Sequence, residues 1–260
     1  MKIDLKNKIA LVTGGATGIG KGVAKALADS NAKVIVTSRS KKDLENISKN
    51  YKNKICGYNL DLTKEEDLSE LHKCILKKFK KIDILVNNIG HTLNIKDPFS
   101  NVNNWKKVMD LNFFTAVNVT NKLIDGMKKN NWGRIINITS VAGLEISGPS
   151  SFNVSKAALT AYTRSVGRQL ALEKRNIVMT AVAPGIIATE RGHWNKNNIK
   201  SKHAKSYLKN RTALGRFGTI DEFSGIIVFL SSDKASFFHG SIIQPDGGQS
   251  RQYMAFNYLG

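Results

Sequence analysis

The chain has 260 residues, 41% hydrophobic and 8% aromatic with four prolines, enough for one sizeable α/β domain and against a disordered chain. No apolar run reaches the ~18 residues of a membrane span. The first residues show no signal-peptide profile, and Cys56 and Cys74 make neither a disulfide framework nor a metal site, so the expected setting is cytoplasmic. Forty Lys and Arg against twenty Asp and Glu give a formal charge of +20, but thirty-one of the cations are lysines spread along the chain without interleaved aromatics. That pattern reads as solvated helix faces and not as a nucleic-acid footprint.

In chain order, an apolar run at 8–13 reads as a strand ending in a glycine-rich turn, and 19–29 follows with helical spacing. A β-branched run at 33–37 is a second strand, 44–49 a helix and 54–60 a third strand. Over 65–79, Leu68, Leu71, Ile75 and Phe79 recur at three-to-four spacing, the mark of an amphipathic helix. Runs at 82–87, 133–138 and 177–182 are further buried-type strands, and the long stretches 104–128 and 151–172 read as helices. Near-continuous apolar strands alternating with helices predict a parallel sheet covered on both faces, and right-handed crossovers make it doubly wound. No linker and no repeat divides the chain, so residues 1–260 read as one domain; its least regular stretch, 188–210, rich in Lys, Asn and His, reads as a mobile lid.

Ligands of such sheets bind beyond the carboxyl ends of the strands, and the motifs fall there. The first turn is Thr13-Gly14-Gly15-Ala16-Thr17-Gly18-Ile19-Gly20. Gly14 can turn tightly, Gly18 lets the backbone approach a pyrophosphate, and Gly20 allows close packing of helix on strand. The helix start beyond offers free N–H groups and a positive dipole end to phosphates.

This TGxxxGxG spacing resembles the short-chain dehydrogenase/reductase family. Asp61 after the third strand, Asn87-Asn88-Ile89-Gly90 after the fourth, Asn112, Ser140, Pro184-Gly185-Ile186-Ile187-Ala188-Thr189 and Asp246-Gly247-Gly248 carry the resemblance in order over nearly the whole chain. It points to members like the reductases of 3-oxoacyl groups on acyl carrier protein. The resemblance implies a Rossmann-type fold and hydride transfer between a carbonyl and an alcohol. It implies a nicotinamide cofactor held by Gly14, Thr17, Gly18, Ile19, Gly20, Ser38, Arg39, Asp61, Leu62, Asn88, Gly90, Lys156, Pro184, Gly185, Ile187 and Thr189. It also implies a homodimer or homotetramer packed through the two long helices. A member that prefers NAD places an acid at the end of the second strand; here that place reads Thr37-Ser38-Arg39-Ser40-Lys41. Arg39 can pair with a 2′-phosphate, so NADP is expected ahead of NAD.

In the family a Tyr acts as acid/base, a Lys four residues later holds the nicotinamide ribose, a Ser polarises the substrate oxygen, and an Asn completes a relay through water. Here the motif reads Phe152-Asn153-Val154-Ser155-Lys156, with Ser140 and Asn112 in place and the tyrosine hydroxyl missing. Phenylalanine has no proton to give, and losing a positioned acid/base costs ~10²–10⁴-fold in rate. Three accounts follow. Phe152 replaces a tyrosine so as to trap a substrate; another group supplies the proton, with His91 the candidate because it directly follows Gly90; or the chain binds nucleotide without chemistry, as a sensor or scaffold. The substrate pocket is expected around His91, Leu144 and Trp194, for a small carbonyl or alcohol. The lid cations Arg191, Lys196, Lys200, Lys202 and Lys205 read either as ligands of an anionic substrate or as a solvated loop. The apolar stretch 253–259 is expected to dock on a neighbouring subunit.

Overall fold

The computed structural model describes residues 2–192, 194–195 and 197–250. Strands β1 (Ile9–Val12), β2 (Lys33–Ser38), β3 (Ile55–Asn59), β4 (Ile84–Asn87), β5 (Trp132–Ile138), β6 (Asn176–Val182) and β7 (Ile242–Ile243) form one sheet in the order β3-β2-β1-β4-β5-β6-β7. Every pairing is parallel. The winding direction reverses between β1 and β4, whose carboxyl ends lie side by side with Val12 opposite Val86. A crevice opens at such a reversal because the connections leave to opposite sides.

The described residues form α-helices around the sheet: α1 (Gly18–Asp29), α2 (Lys41–Asn50), α3 (Glu65–Lys78), α4 (Val102–Met109), α5 (Thr115–Asn130), α6 (Ser150–Leu172), α7 (Lys202–Arg211) and α8 (Ile220–Leu230). The period-two alternation of β1 sends Ala10 and Val12 to one core with Val23 and Leu27 of α1 and Phe223 and Ile227 of α8. Ile9 and Leu11 enter the other core, with Leu71 and Ile75 of α3, Leu123 and Met127 of α5 and Leu170 of α6. Buried on both faces, the central strands are apolar at nearly every position. Among the polar exceptions are asparagines at their carboxyl ends. Asn87 Nδ2 donates to Asn137 Oδ1 (2.8 Å) and Thr120 Oγ1 (3.1 Å), and Asn137 Nδ2 donates to Thr163 Oγ1 (2.9 Å), tying β4 and β5 to α5 and α6 beneath the crevice.

Three elements differ from the sequence reading. The helix expected over 104–128 is α4 and α5 joined by a π-turn, Asp110–Phe114, where the Thr115 N–H and hydroxyl both reach back to the Asp110 carbonyl. The stretch 188–210 contains α7, capped by Ser201, which accepts from Ala204 N at 3.1 Å. Helix α8 escapes a search for periodicity because its run is too apolar to show a face; its signal is the capping box of Thr219 and Glu222 just ahead of it. The apolar stretch 253–259 lies outside the described residues. Among the described residues no helix is long and apolar enough to cross a membrane.

Candidate active site

The glycine turn sits at the crevice mouth. Gly14 (φ +62°) and Gly18 (φ +55°) occupy the left-handed region, and a Cβ on Gly20 would lie 2.5 Å from Asn88 Nδ2 and 2.6 Å from the Gly14 carbonyl. Asn88 holds the turn from β4: its Nδ2 donates to the carbonyls of Thr13 (2.9 Å) and Gly14 (3.3 Å), and its N–H donates to Thr13 Oγ1 (2.9 Å). The first turn of α1 contains no acid, and the Thr17 side chain makes no capping bond to it. An uncapped, acid-free helix start behind glycines fits a pyrophosphate, which would satisfy the orphan N–H groups and meet the positive dipole end.

From this turn a cleft of about 760 Å³ runs across the sheet ends. It is lined by Gly14, Thr17, Gly18, Ile19 and Gly20, by Ser38, Arg39, Asp61 and Leu62 past β2 and β3, and by Asn88, Gly90 and His91 past β4. Ser140, Phe152, Lys156, Pro184, Gly185, Ile187, Thr189 and Trp194 complete the wall. No acid ends β2; Arg39 is 75% exposed, and the Asp61 carboxylate beside it is 4.0 Å away. Asp61 Oδ1 is engaged by Thr63 N (3.2 Å) and Oγ1 (2.8 Å), which sets the carboxylate at the cleft edge.

Lys156 forms the floor. It is 4% exposed, Nζ donates to the Ile138 carbonyl at 2.9 Å, and burial pushes its ammonium down to about 8. The Phe152 ring centroid is 5.7 Å from that nitrogen, so an aromatic ring stands where a hydroxyl was missed in the sequence. Two glycines close on the lysine. A Cβ on Gly90 would lie 2.8 Å from Lys156 Nζ and from Asn112 Oδ1. A Cβ on Gly143 would lie 2.6 Å from the Lys156 carbonyl carbon, so the single 3₁₀ turn Val141–Gly143 rests directly on α6. Ser140 caps that turn, its Oγ accepting from Ala142 N at 3.1 Å. The motif does not mark Gly143; its role depends on a contact between segments far apart in the chain.

Two of the expected site residues stand off the cleft wall. Asn112 is buried, 1% exposed. Its Nδ2 donates to the carbonyls of His91 (2.9 Å) and Val108 (2.8 Å), and its Oδ1 accepts from His91 N (3.0 Å). Leu144 follows the 3₁₀ turn and does not line the cleft. Leu93, Asn94 and Leu111, on irregular segments, do.

The described part of 188–210 is anchored by packing and by charge. Trp194 meets Tyr207, Phe217 and His203 at ring separations of 5.0, 5.2 and 5.9 Å. Glu190 pairs with Lys21 of α1 and Arg191 with Asp43 of α2, each at 2.7 Å, so the segment entering the lid straps across the glycine turn. Arg191 already has a carboxylate partner; Lys200, Lys202 and Lys205 do not line the cleft, and Lys196 lies outside the described residues. No group of three or more His, Cys, Asp or Glu able to hold a metal occurs among the described residues.

The family described as Enoyl-(Acyl carrier protein) reductase matches residues 14–250. The 3-oxoacyl-[acyl-carrier-protein] reductase FabG of Aquifex aeolicus is 35% identical over 253 residues, covering 95% of this chain and 99% of the relative. A 7α-hydroxysteroid dehydrogenase complexed with NADH and 7-oxo glycochenodeoxycholic acid superposes with a TM-score of 0.86 at 27% identity, covering 96% of this chain and 97% of that one. The L-sorbose reductase of Gluconobacter frateurii, complexed with NADPH and L-sorbose, gives 0.86 at 25% identity over 96% and 98%. With a family match that spans the turn, the cleft and the lid, on a fold shared with solved dehydrogenases and reductases, this chain belongs to the short-chain dehydrogenase/reductase family of oxidoreductases.

Proposed function

We infer that the chain reduces a ketone with NADPH, in the cytoplasm and as a homo-oligomer. The observation that carries this reading is the Lys156 ammonium, buried at the floor of the cleft that Ser140 and the glycine turn also line. The relative from Aquifex aeolicus, a 3-oxoacyl reductase, and the L-sorbose reductase with its NADPH support the direction and the cofactor. Arg39, 75% exposed just past a β2 that ends without an acid, supports a 2′-phosphate.

Bound NADPH would supply the hydride, with Lys156 Nζ placed to hold its ribose hydroxyls and Ser140 Oγ to donate to the substrate oxygen. With Phe152 in the tyrosine's place, the proton for that oxygen would come from Lys156 Nζ, and solvent would then reprotonate the amine. An ammonium lowered to about 8 has an acid strength suited to proton transfer near neutrality. The apolar Phe152 ring also favours a second reading, a nucleotide-binding relative without turnover. The test follows NADPH oxidation over a panel of 3-ketoacyl thioesters, ketoses and small ketones, for this chain and its Phe152→Tyr variant. Measurable turnover by the Phe152 chain, raised ~10²–10⁴-fold by the tyrosine, is the expected outcome. Turnover by the variant alone selects the second reading.

A further inference from the structure

His91 enters the sequence argument as a substitute acid, and the structure gives it a different chemistry. Its main chain is clamped on both sides by one buried side chain: His91 N donates to Asn112 Oδ1 (3.0 Å), and His91 O accepts from Asn112 Nδ2 (2.9 Å). Asn112 sits in the π-turn between α4 and α5, an irregularity that recurs at functional sites. The ring is held as firmly as the backbone. Leu93 N donates to His91 Nδ1 at 2.8 Å, and Leu93 and Asn94, neither of them glycine, adopt φ of +52° and +58° in the segment that aims this N–H back at the ring. Two successive left-handed residues are costly, and such strain persists where the surroundings enforce it. With Nδ1 accepting from Leu93, the ring's donor is Nε2–H. His91 lines the same cleft as Ser140 and Phe152.

We propose that His91 is a catalytic hydrogen-bond donor: its Nε2–H, fixed by Asn112 and Leu93, meets the substrate oxygen and stabilises the negative charge that develops there, taking over the donor role vacated at Phe152 while keeping its own proton. Preorganised donors of this kind act without reorganisation at the moment of reaction. The proposal rests on the ketone-reduction reading above.

Two measurements on the full chain test it. Nitrogen-15 NMR of histidine-labelled protein, with His91→Ala assigning the signal, is expected to report the Nε2–H tautomer at neutral pH; the Nδ1–H tautomer or an imidazolium overturns the proposal. Steady-state kinetics with ethyl acetoacetate, a 3-ketoacyl thioester, a ketose and cyclohexanone then compare His91→Ala with His91→Gln, whose amide keeps a donor near the Nε2 position. The Ala variant is expected to lose ~10²–10³-fold in kcat with its NADPH Kd unchanged, and the Gln variant to recover most of that loss. Undiminished kcat in His91→Ala overturns the role of His91 and leaves ketone reduction standing, and so does an NADPH Kd that weakens in step with kcat. Turnover by no form, Phe152→Tyr included, overturns ketone reduction and the role with it.

Discussion

Lys156 concentrates the residue-scale chemistry. Gly143 and Gly90 press on it from two sides, and neither has room for a side chain. Gly143→Ala would lift the 3₁₀ turn that carries Ser140 off α6, and an ångström of misplacement costs on the order of 10²-fold in rate. We expect kcat to fall by about that much, and the melting temperature to fall with it because the methyl group meets backbone that cannot yield, as measured by kinetics beside a thermal melt. The titration of Lys156 gives a second prediction. Burial lowers its ammonium to about 8, so the proton is held below that pH and lost above it; kcat/KM for reduction should fall as pH rises through about 8. A flat profile from pH 7 to 9 would remove Lys156 as the proton source. At the other end of the cleft, Arg39→Ala should weaken NADPH by roughly tenfold or more and leave NADH unchanged, read by fluorescence titration of both nucleotides.

The elements hold these residues through close approaches between helices. The place of α1 is set by α8, and Gly22, in the second turn of α1, is where they touch: a Cβ there would lie 2.0 Å from Ile220 Cγ2. Ile220 is β-branched and has little freedom to yield, so Gly22→Ala should destabilise the fold by ~1–3 kcal/mol in urea denaturation, even though alanine is the better helix former. The π-turn is the second such device. By widening one turn of the α4–α5 helix it brings Asn112 onto His91, a contact that a regular helix over 104–128 does not foresee. In the lid, aromatic packing around Trp194 and the pairs Lys21–Glu190 and Arg191–Asp43 replace the irregularity that the composition of 188–210 leads one to expect.

For the whole molecule, the net charge of +20 and the exposed apolar side chains bear on assembly. Phe114 on the π-turn, and Val154 and Leu172 on α6, are 46%, 47% and 60% exposed. Such residues on the two long helices match the packing that the family resemblance implies for dimers and tetramers. The double variant Phe114→Glu, Val154→Glu is expected to sediment as a monomer while the parent chain sediments as an oligomer; a monomeric parent would refute the assembly.

The parallel doubly wound sheet was legible because it rests on local regularities: period-two and period-3.6 apolar spacing, and a glycine turn between a strand and a helix. The absent acid at the end of β2 and the absent hydroxyl at Phe152 are likewise properties of single positions, and no folding is needed to read them. What a side chain does with its polar atoms depends on partners distant in the chain, which spacing does not encode. Asn112 became a clamp because the π-turn aimed it at His91, and the His91 ring is oriented because Leu93 N–H reaches its Nδ1. Gly143 matters because α6 passes beneath it, Leu144 falls outside the cleft because the 3₁₀ turn carries it away, and Arg191 is spoken for because α2 presents Asp43. Hydrophobic periodicity specifies which elements form and which faces they bury; the few tenths of an ångström that make a hydrogen bond or exclude a methyl group come only from the packed chain.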